Sequence, residues 1–231
     1  AVAPGGGYPP AWSKDGRAGD LVATGEVYPA VRCRDGPCKG GLRSEAQPVF
    51  SFVVERGSAE EPLGMAVDTS GGAVLHVTHL RWQGATPIMA ANLRATADRQ
   101  LQEGDFVLAV NGVAGDFDGM MRELHDAKGE ISLRVSRARE FLAVLSNAGG
   151  GGKLGCEIKY DDTIGMSLLI TDVQEGLVRD WNAAGHEEQV RAGDRIVAIN
   201  GQRGWALTLL QAARIGPGEV KLVIARPAGV A

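Results

Sequence analysis

The sequence predicts a mainly β fold with short helices, an α+β chain in which two copies of one unit follow one another behind an irregular N-terminal arm. Three observations predict it. One block of residues near position 105 returns near position 194, each copy is a β-rich run stopped by Asn-Gly, and each is followed by an apolar stripe at helical spacing. A chain of 231 residues, 44% of them hydrophobic, is long and apolar enough for one large or two small cores.

The first 48 residues form the arm. They hold nine Gly and six Pro but only six residues of Leu, Ile, Val and Phe, too few to bury the surface that order requires. Tyr8, Trp12 and Tyr28 are the anchors such an arm would use to dock on another surface, because each covers a large area with few rotamers to freeze. Cys33 and Cys38 flank "RDGP", a turn-forming run that can bring the two sulfurs together. A disulfide between them and two free thiols are both compatible with the sequence. Zinc is not expected, since no second Cys or His pair lies nearby.

Beyond the arm the chain repeats itself, and the repeat sets the domain expectation of 49–138 and 141–228. "LQEGDFVLAVNG" at 101–112 returns as "VRAGDRIVAING" at 190–201, an offset of 89. The same offset carries "ISLRVSRA" at 131–138 onto "VKLVIARP" at 220–227. Upstream, "VLHVTHL" at 74–80 matches "SLLITDV" at 167–173 at an offset of 93, and "PLGMAVD" at 62–68 matches "KLGCEIK" at 153–159 at 91. Blocks in fixed order with drifting offsets are two copies of one fold with different loop lengths.

Each copy reads as strand, Gly-containing loop, strand, strand, short helix, strand, tight hairpin, helix, strand. Val107 to Val110 are a β-rich run, and the Asn-Gly that follows takes the positive φ angles of a type I′ turn. Phe117, Met120, Met121 and Leu124 lie at i, i+3, i+4 and i+7, and Ala206, Leu209, Leu210 and Ala213 repeat that spacing. The first copy has a longer connection from 81 to 105 bearing Trp82, Pro87 and Met89, a candidate for an extra contact or a longer cap on the barrel.

These residues resemble the PDZ domain family, and the resemblance implies two partly open β-barrels in tandem. The resemblance rests on the X-Φ-G-Φ loop before the second strand ("PLGM" and "KLGC"), "GD" before the fourth strand, the Asn-Gly turn, and a groove helix at the right distance. It implies that the amides of Leu63, Gly64 and Met65, and of Leu154, Gly155 and Cys156, form nests for a peptide's terminal carboxylate. It implies too that the ligand adds as a strand beside a helix whose groove residues are Phe117, Met121 and Leu124 in one copy and Ala206, Leu210 and Ala213 in the other. Many family members begin that helix with a His that bonds a ligand Ser or Thr. Phe117 and Ala206 stand there instead, so the first copy is expected to prefer an apolar ligand residue two before the end, and the second to offer a shallower pocket. The same residues are also what the core face of an ordinary amphipathic helix would carry.

Several chemistries are set aside. "NAGGGGKLGCEIKY" at 147–160 has Gly150, Gly152 and Gly155 at G-x-G-x-x-G spacing, but "CEIKY" reads as a strand where a dinucleotide loop needs a helix. A P-loop fails as well, because Leu154 follows Lys153 and Asn147 replaces the first Gly. Asp105 and Asp194 are read as turn residues bonding local amides rather than as catalytic carboxylates. His76, His79, His125 and His186 fall on separate predicted elements, and no G-x-S-x-G elbow occurs. No catalytic residue, metal site or cofactor is expected. Lys plus Arg at 24 against Asp plus Glu at 28 gives a net charge of −4, which does not suit nucleic acid. No apolar run approaches the roughly 18 residues of a spanning helix.

The expected function is a non-catalytic scaffold whose grooves bind protein C-termini or internal segments. One alternative is a structural, peripheral subunit of a large assembly, associated with an organellar membrane and anchored by the arm, with vestigial grooves. A weaker one is the regulatory remnant of a PDZ-containing protease. The chain begins without Met, which fits either a trimmed chain or the loss of a targeting peptide, so an organelle such as a plastid and the cytoplasm both stay open.

Overall fold

The computed structural model describes residues 49–82, 84–213 and 216–227. The arm, with Tyr8, Trp12, Tyr28 and the Cys33–Cys38 pair, lies outside the described residues. The fold is mainly β, two open antiparallel sheets with four short helices.

The first sheet is built from β1 (Val49–Arg56), β2 (Met65–Val67), β3 (Leu75–Leu80), β4 (Phe106–Val110), β5 (Val113–Ala114) and β6 (Gly129–Ser136), with helices α1 (Pro87–Arg94) and α2 (Phe117–Asp126). Its order is β1-β6-β4-β3-β2, with β5 paired to β4. Strict alternation along β1 sends Phe50, Phe52 and Val54 into the core and Ser51, Val53 and Glu55 out, as a half-buried strand requires. Thr86 caps α1 by accepting from the Met89 amide at 3.3 Å, and Pro87 sits where a missing N–H costs nothing. Asp116 caps α2 in the same way, accepting from Gly119 at 3.1 Å.

The second sheet is built from β7 (Ala138–Asn147), β8 (Cys156–Lys159), β9 (Leu168–Val173), β10 (Arg195–Ile199) and β11 (Gly218–Pro227), with α3 (Leu177–Ala183) and α4 (Ala206–Ala212). Its order is β7-β11-β10-β9-β8, the first sheet's order repeated. The ladders reproduce the sequence offsets pair by pair. Leu75 faces Val107 as Leu168 faces Ile196, and Met65 faces Leu80 as Cys156 faces Val173. Bulges recur at Val107/Ala109 and Ile196/Ala198. Asn111 and Asn200 hold φ of 49° and 51°, followed by Gly112 and Gly201 at 85° and 81°, so both Asn-Gly pairs take the type I′ conformation that their sequence predicts. Each Asn then bonds the last strand of its sheet through side chain and backbone alike: Ser132 N–H donates to Asn111 Oδ1, and Lys221 N–H to Asn200 Oδ1, both at 2.9 Å.

The chain passes from β6 to β7 through a single residue, Arg137. Residues 139 and 140, which the repeat leaves between its two copies, are rungs of β7, facing Arg226 and Ala225. Each sheet has its own core, and a third cluster joins them: Phe106 and Leu108 of β4 pack with Val197 of β10 and Ala225 of β11. Leu108 and Val197 are equivalent positions in the two copies, so the halves meet through matching faces.

In the long first-copy connection, Pro87 is buried while Trp82 stays 53% exposed. The connection therefore both closes the core and leaves an aromatic side chain on the surface.

Candidate functional site

In each half, the loop before the second strand is set by two close backbone contacts. Leu63 O accepts from Ile88 N–H at 3.0 Å and Gly64 O from Arg81 N–H at 2.9 Å; in the second half Leu154 O accepts from Val178 N–H at 3.1 Å and Gly155 O from Gln174 N–H at 2.8 Å. The carbonyls are thus turned inward onto helix and strand. Among the described residues, the amides of Leu63, Gly64, Leu154 and Gly155 have no acceptor. Gly64 and Gly155 have φ of 87° and 78°. A side chain at Gly64 would strike Thr86, and one at Gly155 would lie 2.8 Å from Gly176 Cα. Only glycine allows both the φ and the approach, and the outcome in each half is a tight loop with two successive unpaired N–H groups, termed a nest below.

Each nest opens on an unpaired strand edge. β2 and β8 are the terminal strands of their sheets, bonded on one side only. Phe117 and Met121 of α2 are half-buried against the same core as Leu63 and Met65. In the second half, Leu154, Cys156 and Ile158 share their core border with Leu210 and Ala213. Leu124 and Ala206, the other residues expected on the groove helices, are 8% and 1% exposed, so they serve mainly the cores and leave the wall to their neighbours. Ala213 is the C-terminal cap of α4.

The two grooves differ at the end away from the nest. Ala206 N–H donates to Gly165 O at 2.8 Å, tying the first turn of α4 to the β8–β9 connection. No such bond reaches Phe117, whose helix begins on its own cap, Asp116. The second groove thus has at this end a backbone tie that the first lacks among the described residues.

Two residues outside every motif hold the grooves in shape. Arg56, at the end of β1 and only 7% exposed, donates through Nη1 to the carbonyls of Leu124, His125 and Ala127 at 3.0, 3.1 and 3.2 Å. Its Nε donates to Glu61 O at 2.7 Å, and Nη2 to Ala59 O. One guanidinium thus clamps the nest loop to the C-terminus of α2, where a cation also suits the helix dipole. Asn147 holds the equivalent position in β7. Its Nδ2 donates to Gly216 O at 2.9 Å, and its Oδ1 accepts from Gly152 N–H at 3.1 Å. Nothing in the spacing marks either residue, because Arg and Asn share the task but not their chemistry.

The remaining titratable groups have structural partners. Asp105 and Asp194 accept from Gln102 and Arg191 amides at 2.7 and 2.8 Å, and each also holds an arginine, Arg137 at 2.6 Å and Arg226 at 2.6 Å. Burial raises Asp105, opposed by the Gln102 amide and Arg137. The Cys156 thiol is pushed up to about 11 by burial and by the charges of Asp172 and Asp194, which leaves it un-ionised and a poor nucleophile at neutral pH. His79, His125 and His186 lie apart, His79 beside Glu103 at 2.9 Å and His125 beside Asp126 at 2.7 Å. His186 stacks on Trp181.

His76 is brought to a place the sequence does not disclose. Its Nδ1 lies 3.4 Å from Ser167 Oγ, and Asp68 Oδ2 lies 3.5 Å from the same oxygen. The grouping contains the residue types of a hydrolytic triad, yet Asp68 faces the Ser rather than the His, and all three are below 4% exposed. Arg195 Nη1 donates to both Asp68 and Ser167, at 2.9 and 3.0 Å. This is a buried polar junction between the halves. Among the described residues, no group of three or more His, Cys, Asp or Glu is arranged to hold a metal, and no helix is long and apolar enough to cross a membrane.

No family model matches the chain, and no curated protein does. Among solved structures it is similar to INAD PDZ45 in complex with an NG2 peptide, with 18% identity over 85% of this chain and 97% of that one and a TM-score of 0.34. It is also similar to INAD PDZ45 in complex with NORPA CC-PBM, with 18% identity over 82% of this chain and 97% of that one and a TM-score of 0.37.

Proposed function

We propose that the chain is a non-catalytic protein-interaction scaffold whose two grooves capture the C-termini of other proteins. The observation that carries this reading is the pair of nests, each with unpaired amides at the head of an unpaired edge strand beside an apolar helix wall. A terminal carboxylate is the anion that can enter a nest while its own backbone continues along the strand, which a free phosphate or an internal side chain cannot do. The grooves are short, since β2 spans Met65–Val67 and β8 spans Cys156–Lys159, so affinity is about micromolar.

The reading is tested by titrating the chain with short peptides ending in Val or Leu, free or amidated at the terminus, while following backbone amide shifts. Shifts at Leu63 to Met65 and Leu154 to Cys156 that vanish on amidation support it. Unmoved nests at millimolar peptide, or equal binding of the amidated form, overturn it.

A further inference from the structure

The far ends of the two groove strands meet. β2 ends at Val67 and β8 at Lys159, and two residues beyond each, the Thr69 amide donates to Asp161 Oδ2 at 3.3 Å while the Thr69 hydroxyl donates to the same carboxylate oxygen. Burial alone would raise Asp161, but the bonds from Thr69 and from the amides of Ile164 and Thr163 outweigh it and hold the carboxyl below its ordinary value. The junction is reinforced one residue earlier by Asp68, which holds Arg195 of the second half. On the other side Gly165 carries the first turn of α4. The meeting point is therefore built into both grooves.

Direction follows from the nests. Each lies at the start of its groove strand, so a tail whose carboxylate sits in the nest runs along the strand toward its far end. Two tails bound at once would leave the grooves pointing at one place, the Thr69–Asp161 contact. Each tail covers only three or four residues, about 10 to 13 Å of extended chain, before it reaches that place.

We propose, resting on the groove reading above, that the preferred partner is a parallel two-chain protein, a coiled-coil dimer presenting two apolar C-termini side by side, both held by one copy of this chain. Parallel helices in such a dimer lie about 8–10 Å apart, and the Thr69–Asp161 contact brings the far ends of the two groove strands together. The gain lies in effective concentration. Once one tail is seated, the second is presented at roughly millimolar level, and joint binding exceeds single-tail binding by about 10² to 10⁴.

The test uses a synthetic parallel leucine-zipper peptide with Val-terminated tails joined by a spacer of about five residues, the same tail without the zipper, and a zipper with a spacer of about twenty Gly and Ser residues. Affinity is read by fluorescence anisotropy and stoichiometry by sedimentation. The short-spacer zipper is expected to bind at least about 100-fold tighter than the single tail, one chain per zipper dimer, with the advantage shrinking for the long spacer. Met121→Glu and Leu210→Glu, each closing one groove, are each expected to return the zipper to single-tail affinity. A zipper that binds no tighter than the single tail, or that takes two chains per dimer, overturns the proposal while leaving the grooves as tail-binding sites. A single tail that moves neither nest overturns the groove reading and this proposal together.

Discussion

Arg195 and Asp68, 127 residues apart in sequence, form a 2.9 Å ion pair in which neither side chain is more than 1% exposed. Burial works against the charge on Arg195, and Asp68 supplies the opposing attraction. Arg195 also donates to Ser167 Oγ, Ser70 Oγ and Gly71 O. Removing one partner strands a charge out of water, so Asp68→Asn is expected to destabilise the chain by about 3–5 kcal/mol. The double change Asp68→Leu with Arg195→Met is expected to be much milder than either alone. Urea denaturation of Asp68→Asn, of the two single changes and of the double change measures this, and a double variant as unstable as the sum of the singles would refute it.

Acid should weaken the same junction. Burial, then the neighbouring charge of Arg195, holds His76 well below its ordinary value, so it is neutral when folded. His76 lies against Ser167 before β9 and the Phe106 ring at 5.0 Å on β4, within range of the charge of Arg195 on β10, which Asp68 pairs. The unfolded chain takes up a proton near pH 6.5 and the folded chain does not, so this contribution is complete above that pH and is lost below it, at up to about 1.4 kcal/mol per pH unit. The denaturation midpoint should fall between pH 7 and 5 by more than in His76→Phe, whose slope is expected to be flatter.

Arg56 tests the groove geometry without touching a ligand. Arg56→Met keeps the stem but frees five carbonyls, those of Ala59, Glu61, Leu124, His125 and Ala127. Tail binding at Leu63 to Met65 is expected to weaken about tenfold while binding at Leu154 to Cys156 stays unchanged. Equal losses at both nests would mean that the clamp acts on the whole fold instead.

Phe117 should set selectivity in the first groove. It opens α2, is half-buried, and has an apolar neighbour one turn on in Met121. Phe117→His is expected to move preference at the residue two before the terminus from Leu toward Thr, about tenfold, or 1.4 kcal/mol, because a ring nitrogen can bond the hydroxyl. A peptide array read before and after the change decides it.

What the sequence discloses is what recurs. The 89-residue offset places β4 on β10, the two Asn-Gly turns adopt matching φ, and the helix stripes start at Phe117 and Ala206 where α2 and α4 begin. Even here a recurring device escaped: Asn92 bonds Leu101 both ways at 2.9 and 2.8 Å, and Asn182 bonds Val190 likewise at 2.7 and 2.9 Å. Their offset of 90 falls between the aligned blocks, where loop lengths differ. The junction between halves is illegible for the opposite reason. Asp68, His76 and Arg195 stand where the other copy has Lys159, Leu169 and Phe106, so comparing the copies hides them. Charged groups that pair across two copies must be unlike, since a carboxylate needs a cation and not another carboxylate.

The single residue between the sheets gives the molecule a mechanical character. Arg137 is not a free swivel: its guanidinium is held by Asp105 and by the carbonyls of Gln100 and Asp98, and its chain neighbours Ser136 and Ala138 are already in strands. Force applied to one half therefore passes into the other through a short, held linker and across the buried junction beside it, with little slack to take it up. An insertion of a few glycines after Arg137 would remove the covalent restraint and leave the Asp68–Arg195 pair, the Thr69–Asp161 contact and the Phe106, Leu108, Val197 and Ala225 cluster to hold the halves in register on their own.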